Sequence, residues 1–276
     1  MKNILCAAAS VAVLAPFAAH AQSAGSNVVT LGWLHVMPLQ SSSPLTTDSA
    51  PVPINAPLRL PSTFTSPDTG LHTSNADTVG LTISHFFTDH FAATSVLGVP
   101  PTFEISGLGT IRPPGPAGAL GSQDIGLPAV NPIVKSVRQW SPALIFQYYF
   151  GDATASIRPF LGIGVSYNWF SDVQLQPNFV QQTQQNLGGV MAASAGKPGP
   201  TQVSAKASSS WQPVFNAGLT YNFTRHWGIV ASVTYIPLKT TSTLTIKAAD
   251  GTTLAQSSSR LKADPIISYF GVTYRF

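Results

Sequence analysis

Two side chains in the first third of the chain have the spacing needed for nucleophilic chemistry. His72 and Ser74 lie two residues apart in the stretch HTSNA, residues 72–76. Residues i and i+2 of a β-strand point to the same side, so the imidazole could take the proton of the hydroxyl and prepare it for attack. The stretch comes just before a predicted strand, however, and the nearest Glu, Glu104, belongs to another strand end. We therefore expect that the protein is not an enzyme.

The remaining histidines give no sign of a metal site. His35, His85, His90 and His226 are scattered and never fall into a His-x-x-x-His spacing. The stretch Gly162-Ile163-Gly164 has no helix after it, so it indicates close packing in a barrel wall and not a nucleotide-binding loop. We expect neither a metal nor a cofactor.

The strands that would have to position these side chains show an alternation of apolar and polar residues with a period of two. In WQPVFNAGLTYNF (211–223) every aromatic side chain falls on an odd position, which places all of them on one face of a strand. Only 9% of the residues are charged, against about 25% in a soluble domain. A large apolar face with so little charge opposite it indicates a strand that faces lipid.

The first 21 residues have the pattern of a secretory signal peptide. Lys2 precedes an apolar run, and the segment closes on the small-x-small triplet Ala19-His20-Ala21. We therefore assign residues 1–21 to the signal peptide and 22–276 to the folded domain. Cys6 is the single cysteine, so the mature chain is expected to have no disulfides. The formal charge of +4 contains no basic run, so we expect no nucleic-acid partner.

The rest of the chain predicts eight strands. They cover 27–38, 76–87, 91–105, 138–150, 157–171, 208–223, 226–246 and 261–276. Short links between strands alternate with the long, Pro-, Gly-, Ser- and Gln-rich segments 39–75, 106–137, 172–207 and 247–260. This rhythm predicts an all-β fold: an eight-stranded antiparallel transmembrane β-barrel with long extracellular loops and periplasmic termini. In the third long segment, NFVQQTQQNLGGV reads equally as a polar loop or as a short helix ended by Gly188-Gly189.

Parity along the strands also predicts the lumen. The positions opposite the lipid face are a mixture of aliphatic, aromatic and small residues, from which we predict a narrow, largely apolar transport path. That path is expected to be lined by Val96, Ile145, Tyr149, Phe160, Val214, Asn216, Val230, Thr234 and Ile236. The same residues could equally fill the barrel without conducting anything.

Prolines predict a weak place in the wall. Pro100, Pro101 and Pro142 fall near the extracellular ends of the third and fourth strands, which are neighbours. Proline has no backbone N–H to donate to the sheet. We therefore predict a lateral opening between these two strands.

Several stretches together resemble the OmpW family of outer-membrane proteins. They are SPALIFQYYFGD, IRPFLGIGVSYNWFSD, SSWQPVFNAGLTYNFTRHW, VASVTYIPLKTT, ADPIISYFGVTYRF and ISHFFTDHFAATSVLGVPP, and the resemblance covers most of residues 27–276. The chain departs from the family at Gln212 and in its unusually long first and third loops. The resemblance implies an eight-stranded barrel with a narrow, partly hydrophobic lumen, associated with uptake of small hydrophobic molecules.

These observations favour a passive channel for small hydrophobic solutes in the outer membrane of a Gram-negative bacterium. The expected partners are those solutes, outer-membrane lipid and lipopolysaccharide, and the barrel-assembly machinery, recognised through the C-terminal Phe276. One alternative is a structural or adhesion barrel that acts through its long loops. The other is a lipid A hydrolase using His72 and Ser74, because HTSNA is similar to the His-x-Ser-Asn-Ala stretch of the lipid A deacylase family.

Overall fold

The computed structural model describes residues 23–52 and 55–276, and the predicted signal peptide lies outside them. In chain order the strands are β1 (Asn27–Met37), β2 (Ser41–Ser42), β3 (Leu45–Ser49), β4 (Thr63–Ser66), β5 (Gly70–Thr73), β6 (Ala76–Phe86), β7 (Phe91–Gly98), β8 (Thr102–Leu108), β9 (Thr110–Ile111), β10 (Gln123–Asp124), β11 (Val134–Trp140), β12 (Ala143–Tyr149), β13 (Ile157–Leu175), β14 (Gln202–Ala207), β15 (Ser210–Asn222), β16 (Trp227–Tyr235), β17 (Lys239–Lys247), β18 (Thr253–Lys262) and β19 (Ile266–Arg275). The helices are α1 (Asn55–Leu58), α2 (Pro177–Thr183) and α3 (Gly189–Ser194), with a 3-10 helix at Gly115–Leu120 and a π-helical turn at Gln184–Gly188. Within the described part of the chain, none of the helices has the length and apolar character required to cross a bilayer.

Eight of the strands close into a barrel. Antiparallel pairing runs from β1 through β6, β7, β12, β13, β15, β16 and β19 and returns to β1. Each barrel strand therefore pairs with the barrel strands next to it in sequence, and no edge is left open along the ring. The predicted eight-stranded antiparallel barrel is confirmed. The start of β1 at Asn27 and the C-terminal Phe276 lie at one end of the barrel, which we call the terminal end; the opposite end is the loop end.

The barrel carries its large apolar side chains on the outside. Phe215 and Leu219 of the stretch 211–223 are exposed, whereas their sequence neighbours Val214, Asn216 and Thr220 are buried. Since alternate residues of a strand point to opposite faces, the outer wall is apolar and the inner face carries the smaller and more polar set.

Four predicted strands are each interrupted at a proline. The predicted strands 91–105, 138–150, 226–246 and 261–276 break at Pro100-Pro101, Pro142, Pro237 and Pro265. The ring cannot donate a backbone hydrogen bond, so each barrel strand stops there. Beyond these breaks the chain enters a second layer of sheet at the loop end.

The loop end is more ordered than the sequence predicted. The segments expected to be loops contribute to two sheets, one formed by β5, β8, β11 and the end of β13, the other by β4, β3, β18, β17 and β14, with β2 also on β18. A hydrophobic core lies between them, because these segments carry apolar side chains on alternate positions. Buried members include Leu45, Phe64, Leu71, Phe103, Val134 and Phe179.

The third long segment contains a helix. It continues from α2 through the π-helical turn into α3, so the predicted stop at Gly188-Gly189 is wrong. Both glycines keep helical backbone angles, with φ of −65° and −63°. A Cβ on Gly188 would lie 2.8 Å from Thr201 Oγ1, and one on Gly189 would lie 2.7 Å from Gln184 O. The glycines therefore permit close packing, and they do not end the helix.

Candidate functional site

The lumen is closed at the terminal end by four side chains, which we call the plug. The rings of Phe86 and Phe160 each pack against Tyr149 with centroid distances of 4.9 Å. The Arg158 guanidinium lies over the Tyr149 ring, 5.3 Å from its centroid, and donates a hydrogen bond to Asp89 O. All four plug side chains are buried, and an eight-stranded barrel is narrow enough for its own side chains to fill the interior at this level.

A glycine makes room for the plug. A Cβ on Gly218 would lie 2.4 Å from Cζ of Phe160. The Phe160 ring can therefore lie flat across the lumen only because the facing position on β15 has no side chain.

Above the plug lies a ring of uncharged polar side chains, which we call the polar band. Gln147 Nε2 donates to Asn216 Oδ1 (2.8 Å), and Gln147 Oε1 accepts from Thr94 Oγ1 (2.6 Å). Thr94 also bonds to Ser84 Oγ (2.7 Å), and Asn216 Nδ2 donates to Thr234 Oγ1 (2.9 Å). Buried polar groups are stable when they satisfy one another. The prediction of a largely apolar lumen is therefore wrong at this level, because short hydroxyl and amide side chains face inward from several strands.

The barrel wall is interrupted between β7 and β12. The last residue pair of β7 and β12 towards the loop end is Val96 with Ala143. The two segments pair again only on β8 and β11, where the first pair is Thr102 with Arg138. Between these pairs lie residues 97–101 and 139–142, which we call the wall gap. Among the described residues, one backbone hydrogen bond crosses it, from Gln139 N to Pro101 O (3.1 Å).

The segment on the β7 side of the gap is held by β6 instead. Val99 N donates to Val79 O (3.0 Å), and Thr78 Oγ1 donates to Val99 O (2.7 Å). The segment after β7 therefore separates from β12 but stays hydrogen-bonded to β6, and the wall gap is a defined feature of the backbone.

A cavity of about 350 Å³ lies at the wall gap, and we call it the wall cavity. On the inside it is lined by Val214, Ile236 and Ile267, of which the first two are buried. On the outside it is lined by Leu97 and Val99, which are 47% and 62% exposed on the outer surface. The wall cavity is thus bordered both by residues of the inner face and by residues of the outer face of the barrel, most of them apolar.

Two smaller cavities continue from the wall cavity into the loop end. One of about 40 Å³ shares Val36 and Gln139 with the wall cavity. The other, of about 60 Å³, shares Ile105 and Val137 with the first and lies under Phe179 of α2. The three spaces form a series of apolar cavities between the loop-end core and the wall gap.

The predicted lumen residues fall into four groups. Val96, Ile145 and Thr234 line both the wall cavity and a cavity of about 60 Å³ in the lumen below it. Val214 and Ile236 line the wall cavity, and Asn216 belongs to the polar band. Tyr149 and Phe160 belong to the plug, and Val230 packs in the same cluster at the bottom of the lower cavity. Their role as a transport path stays a prediction.

Pro100, Pro101 and Pro142, predicted to form a lateral opening, all line the wall cavity. Sequence reasoning missed Ala143 and Trp140, which also line it, and Gln147 at the centre of the polar band. Ala143 and Gln147 lie two residues before and after Ile145 on β12 and therefore face inward with it. The alternation of that strand could have identified both residues from the sequence.

The side chains with nucleophilic spacing are not brought together. Gln40 Nε2 donates to His72 Nδ1 (3.0 Å), and Ser74 Oγ accepts from Glu104 N (3.0 Å). In the described residues no hydrogen bond joins His72 to Ser74. Across residues 23–52 and 55–276, no three His, Asp or Glu side chains converge as they would to hold a metal ion.

Comparison with known proteins gives a consistent result. The sequence matches the OmpW family over residues 24–276. It is 26% identical to outer membrane protein W of Vibrio cholerae over 243 residues, 88% of each chain. It is 23% identical to outer membrane protein AlkL of Ectopseudomonas oleovorans over 76% of this chain and 70% of that protein. Among solved structures, OprG from Pseudomonas aeruginosa superposes with a TM-score of 0.66 at 20% identity, covering 94% of this chain and 99% of OprG.

Proposed function

Because this chain belongs to the OmpW family and lies in the Gram-negative outer membrane as its relatives do, we propose that it is a passive channel for small hydrophobic molecules. Solutes enter among the apolar side chains of the loop end, pass into the wall cavity and leave sideways through the wall gap into lipid. The observation that supports this proposal is the wall cavity, which lies at the wall gap above the plug and is lined in part by the exposed Leu97 and Val99.

The closed lumen makes a sideways exit the favourable route. A hydrophobic solute going straight down would have to displace the polar band and break its hydrogen bonds, leaving Gln147 and Asn216 without partners. Unsatisfied buried polar groups cost about 1–3 kcal/mol each. Leaving through the wall keeps the solute in apolar surroundings throughout.

The lining also sets the class of solute. Apolar contacts have no direction, so the wall cavity selects by polarity and width and does not read individual functional groups. A volume of about 350 Å³ is near the lower limit of small-molecule pockets. An extended aliphatic chain is the kind of solute that fits such a passage.

The proposal is tested by placing a large side chain inside the wall cavity. Ala143 points inward and lines the cavity, while its neighbour Leu144 is 42% exposed on the outer face. We expect Ala143→Phe to abolish accelerated uptake of a long-chain alkane by cells, and Leu144→Phe to leave uptake unchanged. Both variants are compared at equal amounts of folded barrel, judged by heat-modifiable gel mobility.

Two results would contradict the proposal. One is equal alkane uptake by Ala143→Phe and the unmodified chain. The other is faster entry of sugars or ions with no effect on alkanes, which would favour a polar pore. If no solute enters faster, the structural or adhesion alternative gains support.

A further inference from the structure

Three cations stand together where the loop-end sheet meets the barrel, and we call them the basic foot. Lys239 is the first residue of β17, and Lys262 is the last residue of β18. The two lysines lie directly opposite each other, and Arg260 lies one step further along the same face, opposite Thr241. All three are exposed, whereas the intervening Leu261 is buried.

The charge of the basic foot is not balanced by the protein. In the described residues the ion pairs involve His35, Arg138 and Lys197, and none involves the basic foot. Asp264, the nearest carboxylate along the chain, forms no ion pair with it. Like charges directly opposite each other across two strands destabilise the pairing.

The surface below the basic foot is apolar. Tyr235 and Ile266 pair with each other at the top of β16 and β19, and in sequence each lies four residues from a lysine of the basic foot, Lys239 and Lys262 respectively. Tyr235 is 38% exposed on the outer wall, and its ring stacks with that of Phe215. The cations therefore follow closely, in both chain segments, on the loop-end limit of the apolar outer wall, where lipid headgroups are expected.

We propose that Lys239, Arg260 and Lys262 bind the phosphate groups of a phosphorylated glycolipid of the outer leaflet, whose acyl chains lie on the wall below. The headgroup phosphates neutralise the opposed lysines, and charge-assisted hydrogen bonds from Lys and Arg to phosphate are among the strongest available to a surface. Hydroxyl groups of Ser41, opposite Lys262, and Thr241, opposite Arg260, lie beside the cations.

The position of this surface separates it from the exit route. The wall gap lies between β7 and β12, and the basic foot stands above β16 and β19. In the ring of eight strands these two boundaries are opposite each other. A glycolipid bound at the basic foot therefore leaves the wall gap free.

The test measures lipid binding by the full-length folded barrel in detergent, using native mass spectrometry. The probes are lipid A bearing both phosphates, the same lipid A without phosphates, and inorganic phosphate alone. The variant is Lys239→Gln/Arg260→Gln/Lys262→Gln. The control is Arg59→Gln/Arg112→Gln/Lys135→Gln, which removes the same charge from three exposed positions outside the basic foot.

We expect the basic-foot variant to weaken binding of phosphorylated lipid A roughly 100-fold, from the attraction contributed by each cation near a lipid surface. The control should bind as the unmodified chain does, and lipid A without phosphates should bind weakly to all three. Equal binding by the two triple variants would overturn the proposal. So would equal binding of lipid A with and without phosphates, or displacement of lipid A by inorganic phosphate at the same concentration.

A second measurement covers the case in which the triple variant folds poorly. Phosphorylated lipid A should raise the unfolding temperature of the unmodified chain and should raise it less in the single variants Lys239→Gln and Lys262→Gln. An equal rise in all three would contradict the proposal. Ala143→Phe should bind lipid A normally, so failure of the channel proposal and failure of this one are distinguishable.

Discussion

Ala143 of β12 lies opposite Val96 of β7 as the last pair that holds these two strands together. Both side chains point inward and line the wall cavity. The wall gap therefore lies beside the larger of the two cavities that these inward-facing residues line. The proposed exit of solutes into lipid therefore depends on the wall gap.

Restoring backbone donors should narrow the wall gap. We expect Pro100→Val/Pro101→Val/Pro142→Val to slow alkane uptake several-fold, because the new N–H groups can pair across the two strands. Pro213→Val is the control, since Pro213 lies on β15 and pairs with Val165, away from the gap. Uptake is measured at matched amounts of folded barrel. Unchanged uptake in the triple variant would show that the prolines do not hold the gap open.

The polar band should contribute to stability through Gln147. Replacing it with leucine removes the partner of Thr94, Asn216 and the Tyr149 hydroxyl. We expect Gln147→Leu to lower the free energy of unfolding in lipid vesicles by about 1–3 kcal/mol for each polar group left unpaired. Phe146→Leu, at the outward-facing neighbour, should change it little. The comparison is made by urea unfolding, and equal stability of the two variants would contradict the assignment.

The pair His72 and Ser74 should have no catalytic role. We expect His72→Ala and Ser74→Ala to leave the acyl chains of host lipid A unchanged, because each side chain has a different hydrogen-bond partner. Mass spectra of lipid A from cells with the unmodified chain, each variant and no barrel provide the measurement. Loss of an acyl chain in cells with the unmodified chain alone would revive the hydrolase alternative.

An ion pair in the loop end should be sensitive to acid. The hydrogen bond from Lys197 (2.6 Å), assisted by Thr252, lowers the pKa of Asp250 from 3.8 to about 2. A carboxylate with a lowered pKa stabilises the fold above its unfolded pKa, and this stabilisation is lost as the pH falls from about 4 through about 2. We expect Lys197→Gln to raise the pKa of Asp250 part of the way back, since the Thr252 amide remains.

Carboxyl chemical shifts of Asp250 in an NMR pH titration give the measurement. Lys206→Gln serves as the control because it removes a lysine that forms no ion pair in the described residues. A pKa of Asp250 that is the same in Lys197→Gln and in the unmodified chain would show that the ion pair is not formed in solution.

The sequence predicted those features that depend on local rules. The alternation around Phe215 and Asn216 assigned the two faces correctly, since a period of two is a property of any strand. The ends of β7 and β12 followed from Pro100, Pro101 and Pro142, because a missing N–H acts at its own residue. The lateral opening at these prolines stays a prediction.

Features that depend on the register between distant strands were not predictable in this way. Gln147 and Asn216 meet only because β12 and β15 both pair with β13. Lys239 and Lys262 lie 23 residues apart in sequence and become neighbours through the pairing of β17 with β18. The loop-end core likewise combines segments whose composition resembles that of loops, and only tertiary packing shows that their apolar positions are buried.

The plug has a consequence for the cell as a whole. Phe86, Tyr149, Phe160 and Arg158 belong to the barrel strands themselves, so the seal does not depend on a movable loop or on a partner. A bacterium could therefore carry many copies of this barrel without losing control over the ions and water-soluble toxins that reach its periplasm. Under the proposed function, more copies of the protein would increase the uptake of hydrophobic solutes without increasing the leakage of polar compounds.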